Sequence, residues 1–510
     1  MRFAGQRPGK NQQSKIDVRL LRHFSCTYSA AAIADQCNIG RVTIDILPDD
    51  VLLVIFDFCG DKRSFIRSNA DDWWQRLAHV CRNWRNIIFE SPRGLDLQLV
   101  CTERTPVREM LDVWPLLPII VHQIGDATLG LDNIVAALER NDRIREITLI
   151  PTNNSQYKSL LEAMQEPFPA LTELNLYGDN AETALVIPDS FSGGSAPHLR
   201  FLTLNSLPFP GLSKLLLSAT GLIYLDIRRI PHSGYISPEV MASCLSVLTR
   251  LVSLTLGFES PRSRPNRESR RLTRPVLPAL IKLQVKGAIE YLEDLVARID
   301  APRLDCLEMK FFNQLIFDTP QLIQFINRTP ELKGYNQAYP YFSSLDVGVK
   351  FPPKVARFDN GLKLAISCKQ SEWRLSALAQ VCSSSFPQSL IHKVERLYIS
   401  EEGCYILKWL LDLEGSQWLE LLHPFMGVKH LHLSGKVALC IVSSLQDLVG
   451  PRTTEVLPAL ESLHLNKRIF GSCKGAIGKF VAARQLSNFP VAVSFGDESN
   501  DKMEVRSFTF

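Results

Sequence analysis

The chain has no apolar run approaching the roughly 18 residues that a membrane-crossing helix needs, so no transmembrane segment is expected among its 510 residues. Residues 1–15 are polar and contain no apolar stretch of the kind a secretory leader carries. The 12 cysteines never form a Cys-x-x-Cys pair, which argues against zinc modules of the finger or RING kind. They stand singly, several in apolar slots, as expected for reduced thiols in the cytoplasm or nucleus. Phosphate-cradling Gly-x-x-x-x-Gly-Lys-Ser/Thr, the Gly-x-Ser-x-Gly elbow and His-Glu-x-x-His are all missing. No catalytic residue, metal ligand or cofactor is therefore expected. A net charge of +4 is too near neutral to argue for nucleic acid.

What is present begins with residues 44–95. Pro48 suits a first helical turn, where its missing N–H has no partner, and Asp49 and Asp50 suit the positive end of a helix. Val51, Leu52, Ile55, Phe56 and Cys59 follow at helical spacing until Gly60, and Leu53, Val54 and Phe58 make the other side apolar too. Trp73, Trp74, Leu77, Val80, Cys81, Trp84, Ile87 and Ile88 repeat the pattern before Ser91-Pro92. A module this small does not enclose so much apolar surface, so part of it must meet another surface.

Leu47-Pro48-x-Asp50-Val51-Leu52-x-x-Ile55-Phe56 and Leu77-x-x-Val80-Cys81-x-x-Trp84 resemble the opening and close of an F-box. The resemblance covers about a tenth of the chain and implies a three-helix module that docks on a Skp-family adaptor and, through it, a cullin ubiquitin ligase. Residues carried over to the adaptor contact are Leu47, Pro48, Val51, Leu52, Ile55, Phe56, Leu77, Val80, Cys81, Trp84 and Ile88, some of which must instead form the module's core. Residues 60–71 are longer than the family's usual turn. Residues 1–43, rich in Arg and Lys, are expected to be a disordered basic tail.

Residues 96–510 change character. A Leu-x-x-Leu-x-Leu pattern recurs from Ile144-Ile147-Leu149 to Leu304-Leu307-Met309 with starts 23 to 29 residues apart, and returns from Val394 to Leu465 with wider spacing. Helical returns are expected at residues 133–140, 157–165, 238–248 and 289–299, with another at residues 404–413. Proline precedes many strands, as in Phe168-Pro169-Ala170 and Leu277-Pro278-Ala279. The array resembles the divergent leucine-rich repeats of F-box proteins abundant in mushroom-forming fungi. It lacks their asparagine after the strand, having Asp179, Leu207, Ile230, Glu259, Ala288 and Phe312 there. The expected fold class is α/β: a three-helix F-box, then an irregular solenoid with a curved parallel sheet. The stretch at residues 312–389 is expected to bend or interrupt that sheet, and residues 258–275, with six arginines, to form a disordered loop.

Strand alternation sends one set of side chains away from the core. Asn175, Thr203, Asp226, Arg228, Thr255, Gln284, Lys286, Glu308 and Lys310 are the expected substrate contacts on a concave face. His432 and His464 fall at equivalent positions about one strand apart and are expected to face outward without binding metal. The resemblance implies the substrate-recognition subunit of a ubiquitin ligase acting on an unknown protein, not itself an enzyme. The other expectation is a repeat scaffold whose N-terminal helices cap the solenoid.

Overall fold

The structure, a computed structural model, describes residues 47–59, 73–90, 95, 97–113, 116–124, 130–150, 154–178, 185–260, 274–312, 317–343, 346–352, 361–367, 373–400, 413–448 and 450–496. The expected basic tail, the long turn at residues 60–71, residues 261–273 of the arginine-rich loop and nearly all of the helix expected at residues 404–413 lie outside these. The chain divides into two compact units, Met1–Asp96 and Leu97–Phe510.

In the first unit three helices are described: α1 (Asp49–Cys59), α2 (Trp73–Ala78) and α3 (Arg82–Glu90). Leu52 and Phe56 of α1 and Ile87 and Ile88 of α3 are buried, with Trp74 and Ala78 of α2. Phe56 packs on Trp84 with ring centroids 4.9 Å apart, and Trp74 meets Phe89 edge-on at 6.2 Å.

Among the described residues, the second unit is built on one 16-stranded sheet. Its strands are β1 (Leu99–Cys101), β2 (Ile119–Ile124), β3 (Ile144–Ile150), β4 (Glu173–Tyr177), β5 (Phe201–Asn205), β6 (Tyr224–Ile230), β7 (Ser253–Phe258), β8 (Lys282–Gly287) and β9 (Cys306–Phe312). There follow β10 (Gln337–Phe342), β11 (Asp346–Phe351), β12 (Gly361–Ser367), β13 (Arg396–Ile399), β14 (His430–Leu433), β15 (Ser462–Asn466) and β16 (Ala492–Gly496). Helices return between many of them, at Leu131–Leu138, Asn154–Ala163, Pro238–Val247 and Ile289–Arg298 as the spacing predicts, and at Gly415–Leu422 before β14.

Four repeats turn into their strands through the same hydrogen bond. The amides of Leu171, Leu199, Leu280 and Leu304 donate to the carbonyls of Phe168, Ala196, Leu277 and Ala301 at 3.1–3.3 Å. The residue after each acceptor is proline, whose fixed φ suits the second position of such a turn. The leucines that follow are at most 1% exposed and form the core under the sheet. Where the asparagine ladder is missing, backbone takes over: Gly178 donates to Asn205, Ser206 to Arg228 and Glu259 to Ile230, at 2.8–3.0 Å. Leu207 and Ile230 simply add to the core.

Two expectations are corrected. Of the bend or interruption expected at residues 312–389, the interruption does not occur. The strand order there runs β9-β12-β11-β10-β13, so the chain leaps ahead from β9 and fills the gap by folding back. β11 is antiparallel to both neighbours, while β12 pairs parallel to β9 and β10 parallel to β13. Alternation in Asp346–Phe351 and Gly361–Ser367 (buried at Val347, Val349, Phe351, Leu362, Leu364 and Ile366) keeps the core continuous across the seam. Second, the arginine-rich loop does not begin at residue 258. Phe258 is the last residue of β7, 7% exposed, its ring 4.5 Å from that of Tyr291 and 5.8 Å from that of Tyr235.

One inter-repeat contact tests how neighbouring repeats hold each other. Glu293, 5% exposed on the helix Ile289–Arg298, accepts from the backbone amides of Gln321 and Leu322, both at 2.8 Å. These amides open the next helix, Pro320–Arg328, where unpaired donors and the positive helix end favour a carboxylate. Glu293→Ala leaves both amides without that acceptor and is expected to cost about 2 kcal/mol, read as a lower urea midpoint.

Candidate functional site

Two surfaces carry the expected site residues, and each is treated separately. On the three-helix unit, the structure divides what the sequence leaves mixed. Leu52, Phe56 and Ile88 are buried and belong to the share of these residues that forms the module's own core. Leu47, Ile55, Leu77, Cys81 and Trp84 are half-buried. Pro48, Val51 and Val80 are exposed. Val54 and Phe58, noted in the sequence only as the apolar far side of α1, are 57% and 86% exposed. With Val51, 39% exposed, they fall at i, i+3 and i+7, so one stripe of α1 presents apolar side chains to solvent.

On the second unit the substrate-face residues stand in a register set by the ladder. Thr148, Asn175, Thr203, Asp226, Thr255, Gln284 and Glu308 are Cα partners strand by strand from β3 to β9. The row continues through Lys363 and Lys350 to Tyr339, then from Tyr398 through His432 and His464 to Ser494. Sequence periodicity missed Lys363, Lys350 and Tyr339 because their strands lack the leucine repeat; their apolar–polar alternation was the available signal.

The row is largely self-satisfied. Thr255 donates to Gln284 at 3.2 Å, Gln284 to Glu308 at 2.7 Å, and Lys363 pairs with Glu308. Asp226 is 6% exposed and Thr255 7%, so both are corrected from direct contacts to supporting ones. Asp226 accepts from the Tyr224 hydroxyl at 3.0 Å and from Arg228 Nε at 2.8 Å, holding the Arg228 side chain, itself 52% exposed. Lys310 pairs with Asp346 at 2.6 Å. Burial, then the charge of Asp226, raises the pKa of Tyr224.

Further along, Tyr339, Tyr398, His432 and His464 stack ring on ring, with centroids 4.6, 4.2 and 4.2 Å apart. A string of hydrogen bonds runs beside the stack: His430 Nδ1 to Ser462 Oγ at 2.7 Å, Ser462 Oγ to His464 Nε2 at 2.9 Å, and His464 Nδ1 to Ser494 Oγ. No group of three His, Cys, Asp or Glu able to hold a metal occurs among the described residues. Burial, with His464, His430 and Arg396 as like charges, pulls the His432 pKa down to about 3.

No helix among the described residues is long and apolar enough to cross a membrane. The described cysteines are free, and burial pushes the thiols of Cys101 and Cys382 up to about 12, so neither is a reactive nucleophile.

The architecture of the second unit is that of a parallel-sheet repeat solenoid. Among solved structures the chain is similar to the leucine-rich repeat-containing protein LegL7 from Legionella pneumophila, at 12% identity and a TM-score of 0.25, over 72% of this chain and 86% of that one. No family model and no curated protein matches the chain.

The imidazole stack carries a pH dependence of definite sign. His432 titrates near 3 when folded and near 6.5 when unfolded, so as pH falls the unfolded chain takes up this proton first. Its contribution to stability is complete above about pH 6.5 and is lost as pH drops towards 3. The melting temperature should fall between about pH 7.5 and about pH 5, and His432→Phe should flatten part of that fall.

Proposed function

We propose that this chain is a non-catalytic recruiting subunit. Its three-helix unit docks on a Skp-family adaptor of a cullin ubiquitin ligase, and the outer face of its solenoid holds a protein substrate. The observation that carries the reading is the exposed stripe Val51–Val54–Phe58 on α1, with Val80 also exposed, in a module whose sequence resembles an F-box. Exposed side chains of this size on a short helix are costly in water and gain by covering. A pre-formed apolar stripe at i, i+3 and i+7 suits insertion into a partner's groove.

The solenoid supplies the other half. Its outer face alternates Glu173, Phe201, Tyr224, Arg228, Lys286 and Glu308, a surface of mixed charge and aromatic character that selects partners by complementarity. No step of chemistry is assigned to any residue, and the place of action is the cytoplasm or nucleus, where cullin ligases work.

The test separates surface from core. Val54→Asp with Phe58→Asp alters exposed positions and should leave the melting temperature unchanged. The same double variant should weaken binding to a recombinant Skp-family adaptor by about 2 kcal/mol or more, read by calorimetry. Full adaptor affinity in this variant, or none in the parent chain, overturns the reading. Leu52→Ala, by contrast, should lower the melting temperature of the unit by creating a cavity.

A further inference from the structure

Six serines or threonines of this chain stand directly before a proline: Ser91, Thr105, Ser237, Ser260, Thr319 and Thr329. Ser91 lies outside the described residues. Thr319 and Thr329 are 1% exposed. Thr105 is tied into a turn, accepting from the Thr102 amide at 2.7 Å and donating to the Thr102 carbonyl at 2.8 Å. Ser237 caps the helix Pro238–Val247 by accepting from the Val240 amide. Ser260 differs. It is half-buried, and its hydroxyl is bonded to a side chain instead of the backbone, His232 Nε2, at 2.8 Å.

That pair stands beside a small cavity at the C-terminal ends of β6, β7 and β8. Ser260 and His232 line it with Tyr235, Phe258, Glu290 and Tyr291. Its volume, about 20 Å³, admits one water and no larger free ligand. Its lining is nevertheless short of partners. Tyr291 is 3% exposed, and its buried hydroxyl makes no hydrogen bond. The helix Ile289–Arg298 begins here, with Ala288 at its N-cap offering no side chain to close the first turn. The first helical bond runs from the Leu292 amide to the Ala288 carbonyl, and the amides of Ile289 and Tyr291 meet no acceptor among the described residues. Open amides at the positive end of a helix favour an anion.

We propose that Ser260 is a phosphorylation site for a proline-directed protein kinase, its phosphate docking on the open first turn of the helix Ile289–Arg298 with His232 as counter-ion. The kinase moves the terminal phosphoryl group of a nucleoside triphosphate. The bond from Ser260 Oγ to phosphorus forms, the bond from phosphorus to the departing diphosphate breaks, and the hydroxyl proton leaves to solvent. The phosphate stands at the mouth of the cavity, where one oxygen fits the water-sized space and the others face the imidazole. Glu290 in the lining and the exposed Glu259 oppose it. The dianion in turn favours the protonated form of His232, which supplies the opposing charge. This site shares no residue with the apolar stripe of α1 or the outward rows of the sheet, so it stands whether or not the chain serves a ligase.

The test treats the full chain with a recombinant proline-directed kinase, magnesium and ATP. Fragment mass spectrometry should place a phosphate on Ser260 and leave the buried Thr319 and Thr329 unmodified, and Ser260→Ala should lose that site. Phosphorus NMR then reads the docking, with a synthetic phosphopeptide of residues 255–265 as the undocked reference. Amide donors and an imidazolium stabilise the dianion, so the docked phosphate should take up its second proton about half a unit or more below the ordinary value of about 6. His232→Asn, at an exposed position, should return it towards the peptide's value. No phosphate on Ser260 of the folded chain overturns the site. A phosphate that titrates as in the peptide, or identically in the parent and in His232→Asn, overturns its docking.

Discussion

Register is the constraint on which the second unit depends. Parallel strands aligned residue for residue put Leu174, Leu202, Leu225, Leu254, Leu283 and Leu307 at one level of the core. The same alignment puts Asn175, Thr203, Asp226, Thr255, Gln284 and Glu308 at one level outside. A slip of one residue anywhere would exchange the two sets, burying charge and exposing leucine. The outer face is thus ordered because the inner one must be. The hydrogen-bonded run from Thr255 to Lys363, and the stack from Tyr339 to His464, follow from that alignment.

Much of this was legible in the sequence, for a physical reason. β3 to β9 and β13 to β15 carry the leucine period because each packs against a copy of itself, and local spacing reports that packing directly. β10 to β12 were not legible as part of the sheet. Their pairing depends on which strand fills the gap beside β9, a long-range choice that a local pattern does not encode. β1, β2 and β16 lie at the ends of the sheet, where the repeat motif is worn down.

The candidate surfaces divide similarly. Alternation placed Arg228, Lys286 and Lys310 outside, but not the burial of Thr255 or of Asp226, the latter capped by the Tyr224 hydroxyl. On α1 the sequence shows apolar residues all round, and that symmetry hides which side is core. Phe56 against Trp84 breaks it, leaving Val54 and Phe58 outward.

The folded-back order at the seam limits how this chain can be cut. In an ordinary solenoid, ending the polypeptide after any repeat leaves a shorter solenoid with one new edge. Here the strand that covers β9 is β12, which arrives only after β10 and β11 have been laid down further out. A fragment stopping at Phe312 lacks β9's cover, and one stopping at Phe342 has β10 with no neighbour on the side towards β9. During synthesis the first nine strands therefore wait with an open edge until Ser367 has emerged. The seam joins the first nine strands to the four that follow it in the chain, β13 to β16.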